Sequence, residues 1–120
     1  MAVSIEELIN EKDAITARKK RRYDIETSAG TFVIKVPSKS LMAETTGLDE
    51  GNDEYLIYNS VVEPDLSDKK LQQAYNCAEP TDIVGKLLDA GEITAISKQI
   101  MKCAGYGKEV KAELHEEIKN

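Results

Sequence analysis

The chain has 120 residues, of which 41% are hydrophobic and 32% are charged, and its formal net charge is −6. This balance predicts a soluble globular protein and argues against a disordered chain, and no apolar run approaches the roughly 20 residues of a membrane span. The length predicts a single domain over residues 1–120. Because no basic region followed by an apolar run opens the chain, we expect no secretory signal and a cytoplasmic protein.

Charge is divided unevenly along the chain. Residues 1–39 contain eight Lys and Arg against six Asp and Glu, a net charge of +2, whereas residues 40–120 contain eight against sixteen, a net charge of −8. An acidic surface repels nucleic acid and can attract a basic partner. The five consecutive cations at 18–22 are interpreted as a solvated run that protects the next strand from edge-to-edge pairing. A nucleic-acid patch is the less favoured alternative, since no aromatic residues alternate with the cations.

The N-terminal third predicts a helix followed by a β-hairpin. Ser4 is placed to cap a helix over residues 4–13, with Glu7 completing a capping box. The apolar residues at helical spacing are Ile5, Leu8, Ile9 and Ile15. Two β-branched or alternating segments joined by a Ser-Ala-Gly turn predict the hairpin, over about residues 21–36. An isolated hairpin is marginal in water, so we expect its apolar face to pack on the helices that follow.

Residues 38–107 are predicted to form several short helices. Ser38 is expected to cap the first of them, which ends at Gly47. A second helix contains Tyr55–Val62, where apolar residues on all sides predict deep burial.

Two Glu-Pro steps, at 63–64 and 79–80, are expected to end one element and open the next. Asp65 or Ser67 is expected to cap the helix between them, and Gly91 to precede the last helix of this region. That helix has a single apolar stripe closed by a glycine-rich cap: Ile93, Ile96, Ile100, Ala104, then Gly105-Tyr106-Gly107.

A charged C-terminal helix is predicted over about residues 108–119. Its apolar residues form a narrow seam at a spacing of four: Val110, Leu114 and Ile118. Because the seam is too narrow to belong clearly to a core, we predict that it binds a partner, either a client protein or a second copy of the chain. The whole pattern predicts an α+β, mostly α-helical fold in which an N-terminal β-hairpin packs with a compact bundle of several short helices.

The sequence predicts no catalytic, cofactor or metal site. Cys77 and Cys103 lack the spacing of a zinc or redox pair, and His115 is the single histidine, so we expect two reduced thiols. The carboxylates of residues 49–54 do not have the spacing of an EF-hand and are interpreted as a hydrated loop. We therefore expect a protein that is not an enzyme.

A string of motifs in the second half of the chain carries a family resemblance. The motifs are YLIY at 55–58, VVEPDL at 61–66, DKKLQQAY at 68–75 and EPTDIV at 79–84. Together with the hairpin that follows residues 20–23 and with the closing Gly105-Tyr106, this string resembles the XkdN-like phage tail assembly chaperones.

The resemblance implies a phage or prophage protein that binds the long, aggregation-prone tape measure protein and keeps it soluble while tail tube subunits assemble around it. It implies a cytoplasmic binding protein of the bacterial host that needs no cofactor and is not expected in the mature virion. The tail tube protein is a further candidate partner, whereas nucleic acid and membranes are not expected to be partners.

Two other functions remain open at this point. A small acidic regulatory or inhibitory phage protein could mask a basic host surface, and strong salt dependence of binding would favour it over an apolar client contact. A hydrolase or nuclease using clustered carboxylates would require a bound divalent ion.

Overall fold

The computed structural model describes residues 1–116, which form seven helices and one three-stranded antiparallel sheet. The strands are β1 (Arg22–Thr27), β2 (Gly30–Lys35) and β3 (Val61–Glu63). The helices are α1 (Ile5–Asn10), α2 (Lys12–Lys19), α3 (Lys39–Thr46), α4 (Asn52–Ser60), α5 (Lys69–Ala74), α6 (Asp82–Leu87) and α7 (Ala90–Cys103). The predicted α+β, mostly helical class with an N-terminal hairpin is confirmed.

The N-terminal helix begins where the sequence predicts and extends further. The Ser4 hydroxyl accepts a hydrogen bond from the Glu7 N–H at 3.1 Å, which satisfies one of the free donors of the first turn. Only one turn residue, Glu11, separates α1 from α2, and the backbone bond from the Ile15 N–H to the Glu11 carbonyl, at 2.9 Å, keeps the helical path continuous. The predicted end at residue 13 is therefore wrong, since good helix formers carry the helix to Lys19.

The hairpin is confirmed, but the sheet gains a third strand that the sequence did not predict. β1 pairs with β2 so that Tyr23 lies opposite Ile34, and β3 pairs with the other edge of β2, where Ile34 lies opposite Val61. The predicted helix through Val62 is wrong, because α4 ends at Ser60 and the next residues are extended. Val61 and Val62 are β-branched and Glu63 precedes a proline, which favours the extended conformation. Val61 and Glu63 also pair with residues of β2.

The hydrophobic core lies among β2, α4, α6 and α7. Helix α4 packs against α3, α6 and α7, and α7 also contacts β1. The buried apolar side chains of these elements form one cluster: Phe32, Ile34, Met42, Leu56, Ile57, Ile83, Val84, Leu88, Ile93, Ile96 and Ile100, with Leu66 from the loop before α5. The hairpin therefore packs its apolar face on the helices, as predicted.

The capping residues of α3 and α5 agree with the predictions in one case and differ in the other. Helix α3 is confirmed with its cap, because the Ser38 hydroxyl accepts from the Leu41 N–H at 3.0 Å. Asp68 caps α5 by accepting from the Leu71 N–H at 3.0 Å, so neither predicted cap is correct. Asp65 instead accepts from the hydroxyl and from the N–H of Ser67, and these two hydrogen bonds lower the pKa of Asp65.

The two Glu-Pro steps have different surroundings. Pro64 follows β3 through a cis peptide bond and leads into a turn, whereas Pro80 lies in the turn that directly precedes α6. The expectation that each proline opens a helix is therefore correct only at the second step. Gly91 does not separate helices, because α7 already starts at Ala90 and Asp89 is its capping residue.

The C-terminal helix predicted over residues 108–119 is absent from residues 108–116, and residues 117–119 lie outside the described part of the chain. Gly105 and Gly107 have φ values of +92° and +84°, which end α7 and turn the backbone away from its axis. Without a packed face, a short helix with few apolar residues is marginal in water. Between residues 1 and 116, no helix is long and apolar enough to cross a membrane.

Candidate partner-binding surfaces

The C-terminal segment, residues 108–116, has no helix or strand, and all its residues are exposed. Of the predicted partner-binding residues, Val110 is 89% exposed and Leu114 is 92% exposed, while Ile118 lies outside the described residues. Because the segment has no helix, Val110 and Leu114 do not form a continuous seam in this structure. Neither side chain belongs to the core cluster, so both remain free to contact another protein.

A basic cleft lies beside the end of α7. Its cationic lining comes from three separate parts of the chain: Arg18 and Lys19 at the end of α2 with Arg21 just after it, Lys39 at the start of α3, and Lys102 and Lys108 around the end of α7. Val36, Ala104 and Tyr106 supply apolar lining. Among residues 1–116, no Asp or Glu lines this cleft, although acidic residues outnumber basic ones in the chain.

The cleft was not predicted from the sequence. The run at 18–22 was interpreted as a solvated charge run, and its residues are indeed exposed, with Arg22 opening the edge strand β1. The lysines that complete the cleft are 17 to 90 positions away along the chain, so no local pattern connects them. The packing of α7 beside the hairpin brings Lys102 and Lys108 close to the cations of the 18–22 run.

An apolar stripe on α1 and α2 is the third exposed feature. Ile5 is 76% exposed, Leu8 48% and Ile9 65%, and Ile15 is half-buried. These residues have the spacing of an ordinary core-facing helix, yet none of them belongs to the core. We refer to these four side chains as the N-terminal stripe.

Comparison with protein families decides what kind of protein carries these surfaces. The family model of the phage XkdN-like tail assembly chaperone proteins matches residues 29–119, about three-quarters of the chain. The chain belongs to this family. Searches among curated proteins and solved structures found no match. The family resemblance seen in the motifs between residues 55 and 84 is therefore confirmed.

The three surfaces of this tail assembly chaperone differ in their relation to the family. The match includes the C-terminal segment and the part of the basic cleft formed by α7, but it leaves out the N-terminal stripe and the cations at 18–22. The family function is the chaperoning of tail assembly, which is a binding role and requires protein partners.

The remaining candidate groups in this tail assembly chaperone are its two cysteines and the carboxylates of residues 49–54. Cys77 and Cys103 are both free thiols, and burial raises the pKa of Cys103, which keeps that thiol protonated and weakly reactive near neutral pH. The interpretation of residues 49–54 as a loop is wrong at Asp53 and Glu54, which lie in the first turn of α4, where carboxylates favour the positive end of the helix dipole. No cluster of three or more metal-binding side chains occurs among residues 1–116.

Proposed function

We propose that this tail assembly chaperone binds the tape measure protein, keeps it soluble during tail assembly in the host cytoplasm, and uses its C-terminal segment for part of the contact. The observation that carries the proposal is the exposure of Val110 and Leu114 inside the family-matched part of the chain. The core cluster includes neither side chain, so both are available for contact with a partner.

The C-terminal segment suits a long client with apolar helices. Val110, Leu114 and Ile118 are four residues apart, so they would share one face if the segment became helical on contact. The residues between them are mostly charged and would remain in water. A segment that folds on binding can adapt to many sites along a client, although its ordering lowers the affinity of each contact.

Substitution of the apolar face tests this proposal. We expect Leu114→Ser/Ile118→Ser to weaken capture of a co-expressed tape measure fragment by about tenfold or more, because each buried apolar side chain contributes about 1.5–3 kcal/mol. The control is Lys111→Ser/His115→Ser, which changes two polar residues of the same segment and should preserve capture. Thermal unfolding should be nearly unchanged in both variants. Undiminished capture by the Leu114→Ser/Ile118→Ser protein would exclude the C-terminal segment as the contact.

The salt dependence of the same complex separates this function from electrostatic masking of a basic host surface. An apolar contact should change little between low and physiological ionic strength, whereas an interface of opposite charges should weaken strongly. A steep loss of affinity for the tape measure fragment would favour a charge-driven contact.

A further inference from the structure

The N-terminal stripe lies on a long helical segment. Residues 5–19 span about 22 Å at the rise of an α-helix, with one turn residue at Glu11. At 3.6 residues per turn, the four stripe side chains occupy roughly one third of the circumference. A stripe of this width is typical of a helix that packs on another element, yet Ile5, Leu8 and Ile9 remain exposed here.

This helical segment is acidic in its first half, and cations close it and follow it, since α2 ends at Lys19. Residues 5–13 contain four carboxylates and a single lysine, whereas residues 18–22 are all Lys or Arg. Its basic end also lines the basic cleft, where Lys39, Lys102 and Lys108 add to the positive charge and no described Asp or Glu contributes lining. The structure therefore has an acidic amphipathic half-helix at one end of the segment and a cationic surface at the other.

We propose that two copies of this chain pair through α1 and α2 in antiparallel orientation. Each acidic half would then lie along the basic end of the other copy's helix and beside its basic cleft. A two-fold axis makes both contacts identical, so each copy supplies and receives the same charges. A parallel pair would instead place carboxylates against carboxylates and cations against cations.

We propose a second copy of the chain as the partner of the N-terminal stripe because the acidic first half and the basic end of this one segment have complementary charges. The N-terminal stripe also lies before residue 29, where the family match begins, so it is separate from the family-matched residues of the proposed client contact. The pairing is independent of the proposed tape measure contact, which uses the opposite end of the chain.

The expected interface is small. Eight stripe side chains, four from each copy, would bury on the order of 100 Å² each, or about 800 Å² in total. Stable interfaces bury about 1,200–2,000 Å², so the charged contacts at both ends must contribute. We therefore expect a weak dimer, with a Kd on the order of micromolar, that dissociates as salt screens the charges.

Sedimentation equilibrium of the full chain over a hundredfold range of concentration at low salt tests the pairing. The unmodified protein should pass from monomer to dimer. Leu8→Ser/Ile9→Ser should raise the Kd at least tenfold, whereas the control Asn10→Ser/Ala17→Ser, on the opposite side of the helix, should leave the Kd unchanged. A protein that is monomeric throughout, or a dimer that survives the stripe substitutions, would overturn the proposal. Monomeric protein in which the same substitutions abolish capture of a tape measure fragment would assign the stripe to the client instead.

Charge reversal tests the electrostatic part of the interface. Glu6→Lys/Glu7→Lys places lysines where Arg18 and Lys19 of the other copy would approach, and Arg18→Glu/Lys19→Glu places carboxylates where Glu6 and Glu7 of the other copy would approach. Each variant alone should be monomeric, and an equimolar mixture should form heterodimers. Failure of the mixture to associate would contradict the proposed charge pairing.

Disulfide cross-linking tests the orientation. A Val3→Cys chain mixed with a Lys20→Cys chain should form a mixed disulfide, because antiparallel pairing brings position 3 of one copy near position 20 of the other. The unmodified chain, with its half-buried Cys77 and Cys103, controls for background cross-links. Cross-linking of the Val3→Cys chain to itself would show a parallel pair and contradict the proposal.

Discussion

Helices α1 and α7 have similar apolar patterns and opposite environments. In α7, Ile93, Ile96 and Ile100 are 6%, 5% and 0% exposed, whereas in α1 the residues Ile5 and Ile9 are 76% and 65% exposed. The periodicity predicts an apolar face in both helices but does not show what covers it. In α7 the cover is α4, α6 and β1 of the same chain, whereas the apolar residues of α1 lie outside the core cluster.

The largest expected effect comes from truncating the same residue type in each region. Ile100→Ala in α7, where the side chain is fully buried, should reduce the free energy of unfolding by about 2–5 kcal/mol, because it leaves a cavity in the core. Ile9→Ala should change it by less than about 0.5 kcal/mol. Urea unfolding at a concentration where the chain is monomeric measures both. Equal losses would show that α1 packs on the core.

Capping serines provide a second matched pair. The Ser38 hydroxyl caps α3 at 3.0 Å from the Leu41 nitrogen, and the Ser4 hydroxyl caps α1 at 3.1 Å from the Glu7 nitrogen. We expect Ser38→Ala to reduce the free energy of unfolding by about 1 kcal/mol, because α3 contributes to the core through Met42.

Ser4→Ala should leave the global free energy of unfolding nearly unchanged and increase fraying of α1 only. Urea unfolding reports the first quantity, and amide hydrogen exchange in the first turn of α1 reports the second. A global loss of similar size in both variants would mean that the two helices unfold as one cooperative unit.

A smaller, pH-dependent effect is expected where α7 meets the hairpin turn. The Ser28 hydroxyl and the Ser28 N–H donate to the Glu92 carboxylate at 2.6 Å and 2.7 Å, and these hydrogen bonds lower the pKa of Glu92 from its ordinary value of 4.5. The lowered pKa contributes stability that is present above pH 4.5 and is lost as the pH falls through the pKa of the folded state.

Glu92→Gln should therefore lower stability at neutral pH and reduce the loss of stability on acidification. Urea midpoints between neutral pH and about pH 3 measure this slope. Ser28→Ala, which removes one of the two donors, should give an intermediate slope. Identical slopes in the unmodified and Glu92→Gln proteins would show that this contact does not contribute to acid sensitivity.

Local signals predicted much of the fold. A turn between β-branched segments predicted the hairpin, the Ser38 cap and Gly47 bounded α3, and the isoleucine stripe predicted α7. The errors occur where a distant partner decides the conformation. Val61 and Val62 continue an apolar pattern from α4, yet they lie in β3, where Val61 and Glu63 pair with Ile34 and Val33 of β2.

The candidate surfaces were predictable to different degrees. A thin apolar seam indicated that Val110 and Leu114 would lie outside the core, and they do, but the helix expected there is absent between residues 108 and 116. The N-terminal stripe was visible as a periodicity, but its exposure was not. The basic cleft had no sequence signal, because its cations are separated along the chain.

The sequence by itself determined where most helices and strands begin, since caps, glycines, prolines and β-branched residues act within a few positions of the backbone. It also contained the motifs of a tail assembly chaperone. Tertiary structure alone decided which apolar faces are buried, where the third strand forms, and which distant lysines share a cleft. These outcomes depend on contacts between residues that are far apart in the chain. Such contacts stabilise the fold only once the elements are packed together.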